Sequence, residues 1–226
     1  MSTAQQIANL IDHTLLRPTA SVKEIEGICR EAVQYKFHTV CVNPSYVNLA
    51  AELLKGSNVK VCSVVGFPLG ANTLLQKQRE TEECFSNGAE EIDAVIALGS
   101  IKSDDWGYVE KELSALRLLT KDQGIFKVIM ETGLLKEGEL IRACTVAKNV
   151  GVDFVKTSTG FLGEGATADK VAMMKKTVGK QVGVKASGGI RSWPQMQLML
   201  KAGAIRIGTS SGVTIMEEFL KEQIKD

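Results

Sequence analysis

The stretch DFVKTSTGFLGEGATADKVAMMKKTVGKQVGVKA, residues 153–186, indicates the fold of the whole chain. It begins and ends with short apolar runs, 153–156 and 182–186, and each run carries a lysine at or near its end. Between the two runs, Val171, Met174 and Val178 recur at the spacing of one helix face. A strand, a helix and a second strand in this order are typical of a parallel sheet with helical connections.

The same alternation continues on both sides of this stretch. Five more candidate strands are short, mostly β-branched at their centres and bounded by Gly, Asn or Thr: 39–43, 59–65, 91–96, 126–131 and 204–208. An eighth strand is predicted at 10–13, after a short N-terminal helix over 3–9. The predicted helix faces between strands are Val109, Leu113, Leu116 and Leu119; Ile141, Cys144 and Ala147; and Trp193, Met196 and Leu200.

Eight strands alternating with helices predict an α/β fold, a TIM (β/α)8 barrel, as a single domain over residues 1–226. A doubly wound open sheet is the alternative, because it shows the same alternation. That alternative is disfavoured because no Gly-x-Gly-x-x-Gly motif follows the first strand.

Composition excludes several classes of protein. Lys+Arg 27 against Asp+Glu 26 gives a net charge of +1, and 44% of the residues are hydrophobic, so the chain is neither disordered nor basic enough to predict a nucleic-acid partner. No apolar stretch approaches the ~18 residues of a membrane span, and the N-terminus lacks the pattern of a signal peptide. Five scattered cysteines predict reduced thiols and a cytoplasmic protein. With only two histidines and no Cys-x-x-Cys pair, we expect no metal and no cofactor.

Chemistry in a barrel is expected at the carboxyl ends of the strands, where Asp93, Glu131, Lys156 and Lys185 are found. At the end of an apolar strand, the ammonium of a lysine is buried away from water, which is costly. Alternatively, its flexible stem lets the ammonium reach solvent. Two such lysines close together would favour an uncharged amine, which can attack a carbonyl to form a Schiff base. Asp93 could orient one of these amines, or it could equally be a strand-end cap or an ion-pair partner.

Two consecutive loops near the end of the chain predict a phosphate site. SGGI at 187–190 follows one strand, and GTSSG at 208–212 follows the next and begins a helix. The backbone N–H groups at Gly188, Gly189 and Gly208 could approach an anion at the positive end of a helix. The remaining donors are Ser210 and Ser211, and a third loop of this kind, TSTG at 157–160, includes Thr157. Gly and Ser are also common in ordinary turns and helix caps, which is the alternative explanation.

Three further residues give less specific signals. His13 could be packed, capping or an acid, whereas His38 is expected at the surface. Cys41 lies within a predicted strand, so it is either a small buried apolar residue or, because the carboxyl end is near, part of the site.

Taken together, seven motifs resemble the 2-deoxy-D-ribose-5-phosphate aldolase family, in order and across almost the whole chain. They are DHTLL (12–16), CVNP (41–44), EIDAVI (91–96), KVIMETGLL (127–135), DFVKTSTGF (153–161), VKASGGIR (184–191) and GTSSG (208–212). The resemblance implies a cofactor-independent class I aldolase on a TIM barrel, which reversibly cleaves 2-deoxyribose 5-phosphate to glyceraldehyde 3-phosphate and acetaldehyde. It also implies that Lys156 forms the Schiff base, that Lys185 activates it, and that Asp93 works with Lys185 in proton transfer through water.

The resemblance assigns the sugar end of the pocket to Asp12 and Cys41, and the phosphate to Gly188, Gly189, Ser210 and Ser211. Some family members have a lysine where this chain has Phe161, so we expect backbone amides to contribute more here. The alternatives are another Schiff-base or phosphate-binding barrel, such as a transaldolase or a keto-acid sugar aldolase, and a non-catalytic barrel that binds a phosphorylated metabolite. We expect sugar phosphate and aldehyde substrates, no nucleic-acid or membrane partner, and a homo-oligomer, in the first place a dimer.

Overall fold

Eight parallel strands close into a barrel, because β1 pairs with β2 on one side and with β8 on the other. The computed structural model describes residues 3–224; residues 1–2 and 225–226, the two ends of the predicted domain, lie outside the described residues. The strands are β1 Ile11–Leu15, β2 Thr39–Val42, β3 Lys60–Val65, β4 Glu91–Val95, β5 Ile125–Ile129, β6 Phe154–Lys156, β7 Gly183–Ser187 and β8 Arg206–Thr209. The prediction of a TIM barrel is therefore confirmed. The alternative, an open sheet, is wrong, because such a sheet would have two unpaired edge strands.

Helices connect successive strands and cover the outside of the barrel. They are α1 Ala4–Ala8, α2 Val22–Tyr35, α3 Val47–Leu54, α4 Leu74–Ser86, α5 Leu98–Lys102, α6 Trp106–Thr120, α7 Glu137–Val150, α8 Ala168–Val178, α9 Trp193–Lys201 and α10 Gly212–Gln223. Hydroxyl groups cap several of the N-termini; Thr73, Thr167 and Ser192 each accept a hydrogen bond from the backbone N–H three residues on. Within residues 3–224, no helix has the length and apolar character needed to cross a membrane.

The alternation of side chains along each strand separates an apolar outer face from a charged interior. Ile92 and Ala94 point outward into the core between barrel and helices, and so do Phe126 and Val128 on the next strand. Their neighbour Asp93 therefore points inward. Strand register then places Lys127 beside Asp93, Lys185 beside Lys156 and Arg206 beside Lys185. The interior of this barrel is thus lined largely by charged side chains.

The structure corrects two details of the sequence prediction. Strand β5 ends at Ile129 rather than at residue 131, and Glu131 adopts a left-handed backbone conformation with φ 52°. On α7 the buried face consists of Leu140, Ala143, Cys144 and Ala147, whereas Ile141, predicted to be in the core, is 39% exposed. The prediction is therefore confirmed for Cys144 and Ala147 and wrong for Ile141, whose place on the buried face is taken by Leu140.

Adjacent residues of α7 allow a test of this assignment. Leu140 is 2% exposed, so Leu140→Ala should leave a cavity and lower the free energy of unfolding by about 2–5 kcal/mol. Ile141→Ala should cost less than roughly 1 kcal/mol, because much of that side chain is already in water. Urea unfolding followed by circular dichroism measures both; equal losses would contradict the assignment of the buried face.

Candidate active site

Asp93 lies at the centre of the charged barrel interior and accepts hydrogen bonds from three lysines. Its Oδ2 lies 2.8 Å from Lys156 Nζ and 2.7 Å from Lys185 Nζ. Its Oδ1 lies 2.8 Å from Lys127 Nζ. The three residues predicted to be catalytic therefore lie together, because both lysines donate hydrogen bonds to the carboxylate of the aspartate.

Six of the interior side chains form a closed circuit of alternating charges, which we call the charge ring. Its members, in order, are Asp93, Lys127, Glu91, Arg206, Asp12 and Lys185, and Lys185 returns to Asp93. Glu91 Oε2 lies 2.6 Å from Lys127 Nζ and 3.1 Å from Arg206 Nη1. Arg206 Nη1 also lies 2.9 Å from Asp12 Oδ1, and Asp12 Oδ2 contacts Lys185 Nζ. Three cations balance three anions, and Lys156 contacts the ring from outside through Asp93.

Mutual pairing keeps the ring charged despite its burial. Burial alone would raise the pKa of Asp93, but Lys127, Lys156 and Lys185 outweigh it and hold that pKa well below its usual value. For Glu91, burial is likewise outweighed by Lys127 and His38, and its pKa falls to about 2. Burial would lower the pKa of Lys185, yet Asp12 and Asp93 raise it. Lys185 is therefore an ammonium ion beside Lys156.

Two cysteines flank the carboxylate of Asp93. Cys41 and Cys62 are register partners on β2 and β3, and both are buried. With Asp93 they form a group of the kind that could ligate a metal, all three ligand atoms lying within 4.8 Å of one another. However, the ammonium of Lys127 lies 2.8 Å from Asp93 Oδ1 and 3.4 Å from Cys62 Sγ, so this donor set already holds a cation. That a metal is unnecessary remains a prediction.

A cavity of about 340 Å³ opens above Lys156 at the carboxyl ends of the strands. Its walls include four of the residues predicted to bind phosphate, Gly188, Gly189, Gly208 and Ser210. The cavity is also lined by Arg17, Arg191 and Phe161, of which only Phe161 was considered from sequence. Lys156, the predicted Schiff-base lysine, and the predicted phosphate loops therefore share one cavity.

The other predicted binding residues lie behind the cavity wall. Thr157 is buried, and its hydroxyl donates to the Ser187 carbonyl and accepts from the Ser187 N–H, both at 3.0 Å. Ser211 is half-buried at the cap of α10, and its N–H donates to Thr209 Oγ1 at 2.9 Å. Asp12 and Cys41 are in the barrel interior below the cavity. These four residues support the cavity rather than line it.

Glycine is required at three positions of the cavity wall that is predicted to bind phosphate. Gly188 and Gly189 have φ values of 90° and 81°, which other residues rarely adopt. At Gly208 a Cβ would come within 2.9 Å of Ser187 Cβ and 3.1 Å of Lys185 Cε. A side chain there would force Ser187 to shift and would press against the stem of Lys185, next to its ammonium.

The two histidines are structural in different ways. His13 is packed 4.8 Å from the ring of Phe37, and its Nε2 lies 2.6 Å from Glu31. His38, expected at the surface, is half-buried because its Nε2 lies 3.1 Å from Oε1 of Glu91. It therefore closes the lower end of the charge ring.

Sequence reasoning missed three members of the charge ring: Glu91, Lys127 and Arg206. The sequence does contain a signal for them. Each is a charged residue within an apolar strand, and each is expected to point into the barrel like a predicted site residue nearby. Glu91 is two positions from Asp93, and Lys127 and Arg206 are register partners of Asp93 and Lys185. In the strands predicted from sequence, 91–96, 126–131 and 204–208, none of the three is the final residue, and chemistry in a barrel is expected at the carboxyl ends.

Comparison with known proteins shows which family has this barrel with a lysine in its cavity. The chain matches the DeoC/LacD family of aldolases over residues 6–218, and it belongs to that family. A deoxyribose-phosphate aldolase from Clostridium perfringens (strain 13 / Type A) is 51% identical over 213 residues, which cover 94% of this chain and 95% of that relative. The deoxyribose-phosphate aldolase of Geobacillus sp. (strain WCH70) is 53% identical over 211 residues, or 93% and 95% of the two chains.

A solved structure agrees with these relatives. The tetrameric deoxyribose phosphate aldolase from Aeropyrum pernix superposes with a TM-score of 0.90 at 34% identity, covering 97% of this chain and 93% of the other. The resemblance inferred from the seven motifs is thereby confirmed.

Lys127 provides a test of the charge ring. Lys127→Met leaves Asp93 and Glu91 without a shared buried partner, so the free energy of unfolding should fall by about 3–5 kcal/mol. Adding Glu91→Gln removes the one negative charge left in excess, and we expect the double variant to recover part of that loss. Urea unfolding of the three proteins measures this; a double variant with the summed loss of both single variants would contradict the pairing.

Proposed function

We propose that this protein is a class I aldolase that reversibly cleaves 2-deoxy-D-ribose 5-phosphate to D-glyceraldehyde 3-phosphate and acetaldehyde. The observation that carries the proposal is Lys156, a buried amine at the end of an apolar strand that reaches the cavity floor while hydrogen-bonded to Asp93. The family and the deoxyribose-phosphate aldolases among its relatives support the substrate.

The charge ring prepares Lys156 for attack on an aldehyde. The three positive and three negative charges of the ring cancel without any contribution from Lys156. When Lys156 is a neutral amine, each carboxylate of the ring therefore still has a cationic partner within the ring. The neutral amine adds to the substrate C1 aldehyde, and loss of water gives an iminium. The iminium accepts the electron pair of the C2–C3 bond, which breaks as the C3 hydroxyl loses its proton. Glyceraldehyde 3-phosphate leaves, and the two-carbon enamine stays on Lys156.

Proton transfer completes the cycle. The enamine is protonated at C2, and water then releases acetaldehyde and the free amine. We assign these steps to Lys185 and Asp93, with water as carrier, because both groups contact each other and Asp93 contacts Lys156. The carboxylate of Asp93 also lies where it stabilises the positive iminium nitrogen.

The phosphate is assigned to the wall formed by Gly188, Gly189, Gly208 and Ser210, next to the start of α10. Backbone N–H groups and a helix N-terminus favour a dianion there. Arg191 and Arg17, which also line the cavity, add positive charge at the same end. Ser211 would act from the cap of α10 rather than from the wall.

We further propose that the chain forms a single domain, that it assembles into a homo-oligomer, with a dimer as the first candidate, and that it is cytoplasmic. The five cysteines are all unpaired and buried, as is typical of proteins from a reducing compartment. The tetrameric relative from Aeropyrum pernix supports self-assembly of this fold.

Covalent trapping tests the nucleophile. Borohydride with acetaldehyde should reduce the imine and leave a two-carbon adduct on Lys156, found by peptide mass mapping. Lys156→Met, which retains length without the amine, should show no adduct. An adduct on Lys185 would reverse the roles of the two amines, and reversible binding without an adduct would indicate a non-catalytic barrel.

A substrate without its phosphate group tests the proposed phosphate site. Each hydrogen bond to a charged group contributes about 1.5–3 kcal/mol, so unphosphorylated deoxyribose, which loses several, should lose at least about a hundredfold in kcat/KM. Ser210→Asp places a carboxylate against the dianion, and it should impair the phosphorylated sugar far more than the free one. Coupled assays with both sugars measure this; equal losses in Ser210→Asp would place the phosphate elsewhere.

A further inference from the structure

Glu131 is a buried carboxyl group at the cavity end of the barrel that the proposed chemistry does not use. It follows β5 in the left-handed region, with φ 52° and ψ 60°, a conformation unfavourable for a residue with a side chain. The side chain is buried, and its Oε1 has no hydrogen-bond partner among residues 3–224. Backbone strain together with an unpaired buried oxygen is more typical of functional sites than of the general core.

The strain arises from an extra residue in the β5 chain. The N–H of Met130 donates to the Lys156 carbonyl, and the N–H of Thr132 donates to the Thr157 carbonyl, both at 2.9 Å. In a regular parallel ladder, donors two residues apart meet acceptors two residues apart, but here the acceptors are consecutive. Glu131 is thus inserted as in a β-bulge, which redirects its side chain.

The redirected carboxylate holds the loop that follows Lys156. Glu131 Oε2 accepts hydrogen bonds from the Thr159 hydroxyl at 2.5 Å and from the Thr159 N–H at 3.2 Å. The Thr159 oxygen in turn accepts from the N–H of Phe161 at 3.1 Å. Thr159, Gly160 and Phe161 all line the cavity, on the wall adjoining Gly188 and Gly189. Glu131 therefore holds Thr159 directly and, through the Thr159 hydroxyl, the backbone at Phe161.

We propose that Glu131 is a positioning residue, which fixes residues 159–161 so that the phosphate end of the substrate is aligned with Lys156. The inference rests on the proposed function, because it needs a phosphorylated substrate in this cavity. Glu131 acts through Thr159 and does not touch the reacting atoms. Its removal should weaken the use of a phosphorylated sugar without preventing imine formation with a small aldehyde.

Four variants test the proposal in the full chain. Glu131→Ala removes the acceptor, and Thr159→Val removes the hydroxyl donor from the loop side while keeping the branched shape. Glu131→Gln retains a carbonyl oxygen that can accept both bonds. Glu164→Gln is the matched control, because the Glu164 carboxylate is in the following segment, pairs with Lys170 at 2.9 Å and is largely exposed.

Two measurements separate alignment from general structure: KM and kcat for deoxyribose 5-phosphate, and the rate of borohydride trapping of acetaldehyde on Lys156. Glu131→Ala should raise KM by at least about tenfold, because Thr159 loses both of its hydrogen bonds to this side chain, while trapping stays within about threefold of the parent. Glu131→Gln and Glu164→Gln should both stay close to the parent. Thr159→Val should raise KM in the same direction, and combined with Glu131→Ala it should add little, because the hydrogen bond from the Thr159 hydroxyl to Glu131 is lost in both variants.

Three outcomes would overturn the inference. The first is an unchanged KM in Glu131→Ala, or in Thr159→Val where Glu131→Ala does not fold. The second is equal loss of trapping and cleavage, which would show a structural role only. The third is a KM in Glu131→Gln as high as in Glu131→Ala, which would show that the acceptor is not what matters. Absence of trapping in the parent protein would instead reject the proposed function itself.

Discussion

The hydrogen bonds and ion pairs around Asp93 are the interactions on which the rest of this site depends. A carboxylate in a closed barrel would be protonated if it were alone, because burial removes its water. Three lysines keep it ionised, and Glu91 and Asp12 in turn compensate Lys127 and Lys185. Every charge in the ring is thereby offset by a neighbour, which is the condition for burying charges at an acceptable free-energy cost.

The barrel itself explains why such a ring can form. Parallel strands with strict alternation send one residue in two to the interior, and eight converging strands bring those residues within a few ångströms of one another. The outward residues, such as Ile92 and Val128, form the apolar core with the helices and stabilise the fold independently of the charges. The interior is therefore available for chemistry, and the cavity above Lys156 admits the substrate.

Much of this was predictable from the sequence, and the limits have physical causes. The strand–helix alternation predicts the barrel, and the strand-end rule for barrels predicts Lys156, Lys185 and Asp93 as site residues. Lys127 and Arg206 do not end their predicted strands, and their pairing with Asp93 and Asp12 depends on the register between strands, which no local pattern specifies. The bulge at Glu131 was missed because left-handed backbone is expected at glycine or asparagine. That Thr157 and Ser211 lie behind the cavity wall depends on tertiary hydrogen bonds to Ser187 and Thr209.

Direct location of the protons in the charge ring tests the central claim of this account. Neutron diffraction from crystals of the free protein at neutral pH would show how many hydrogens each nitrogen and each carboxylate carries. The account predicts three deuterons on Nζ of Lys127 and of Lys185, and none on the carboxylates of Asp12, Glu91 and Asp93. A neutral Lys185, or a deuteron on Asp93, would contradict it.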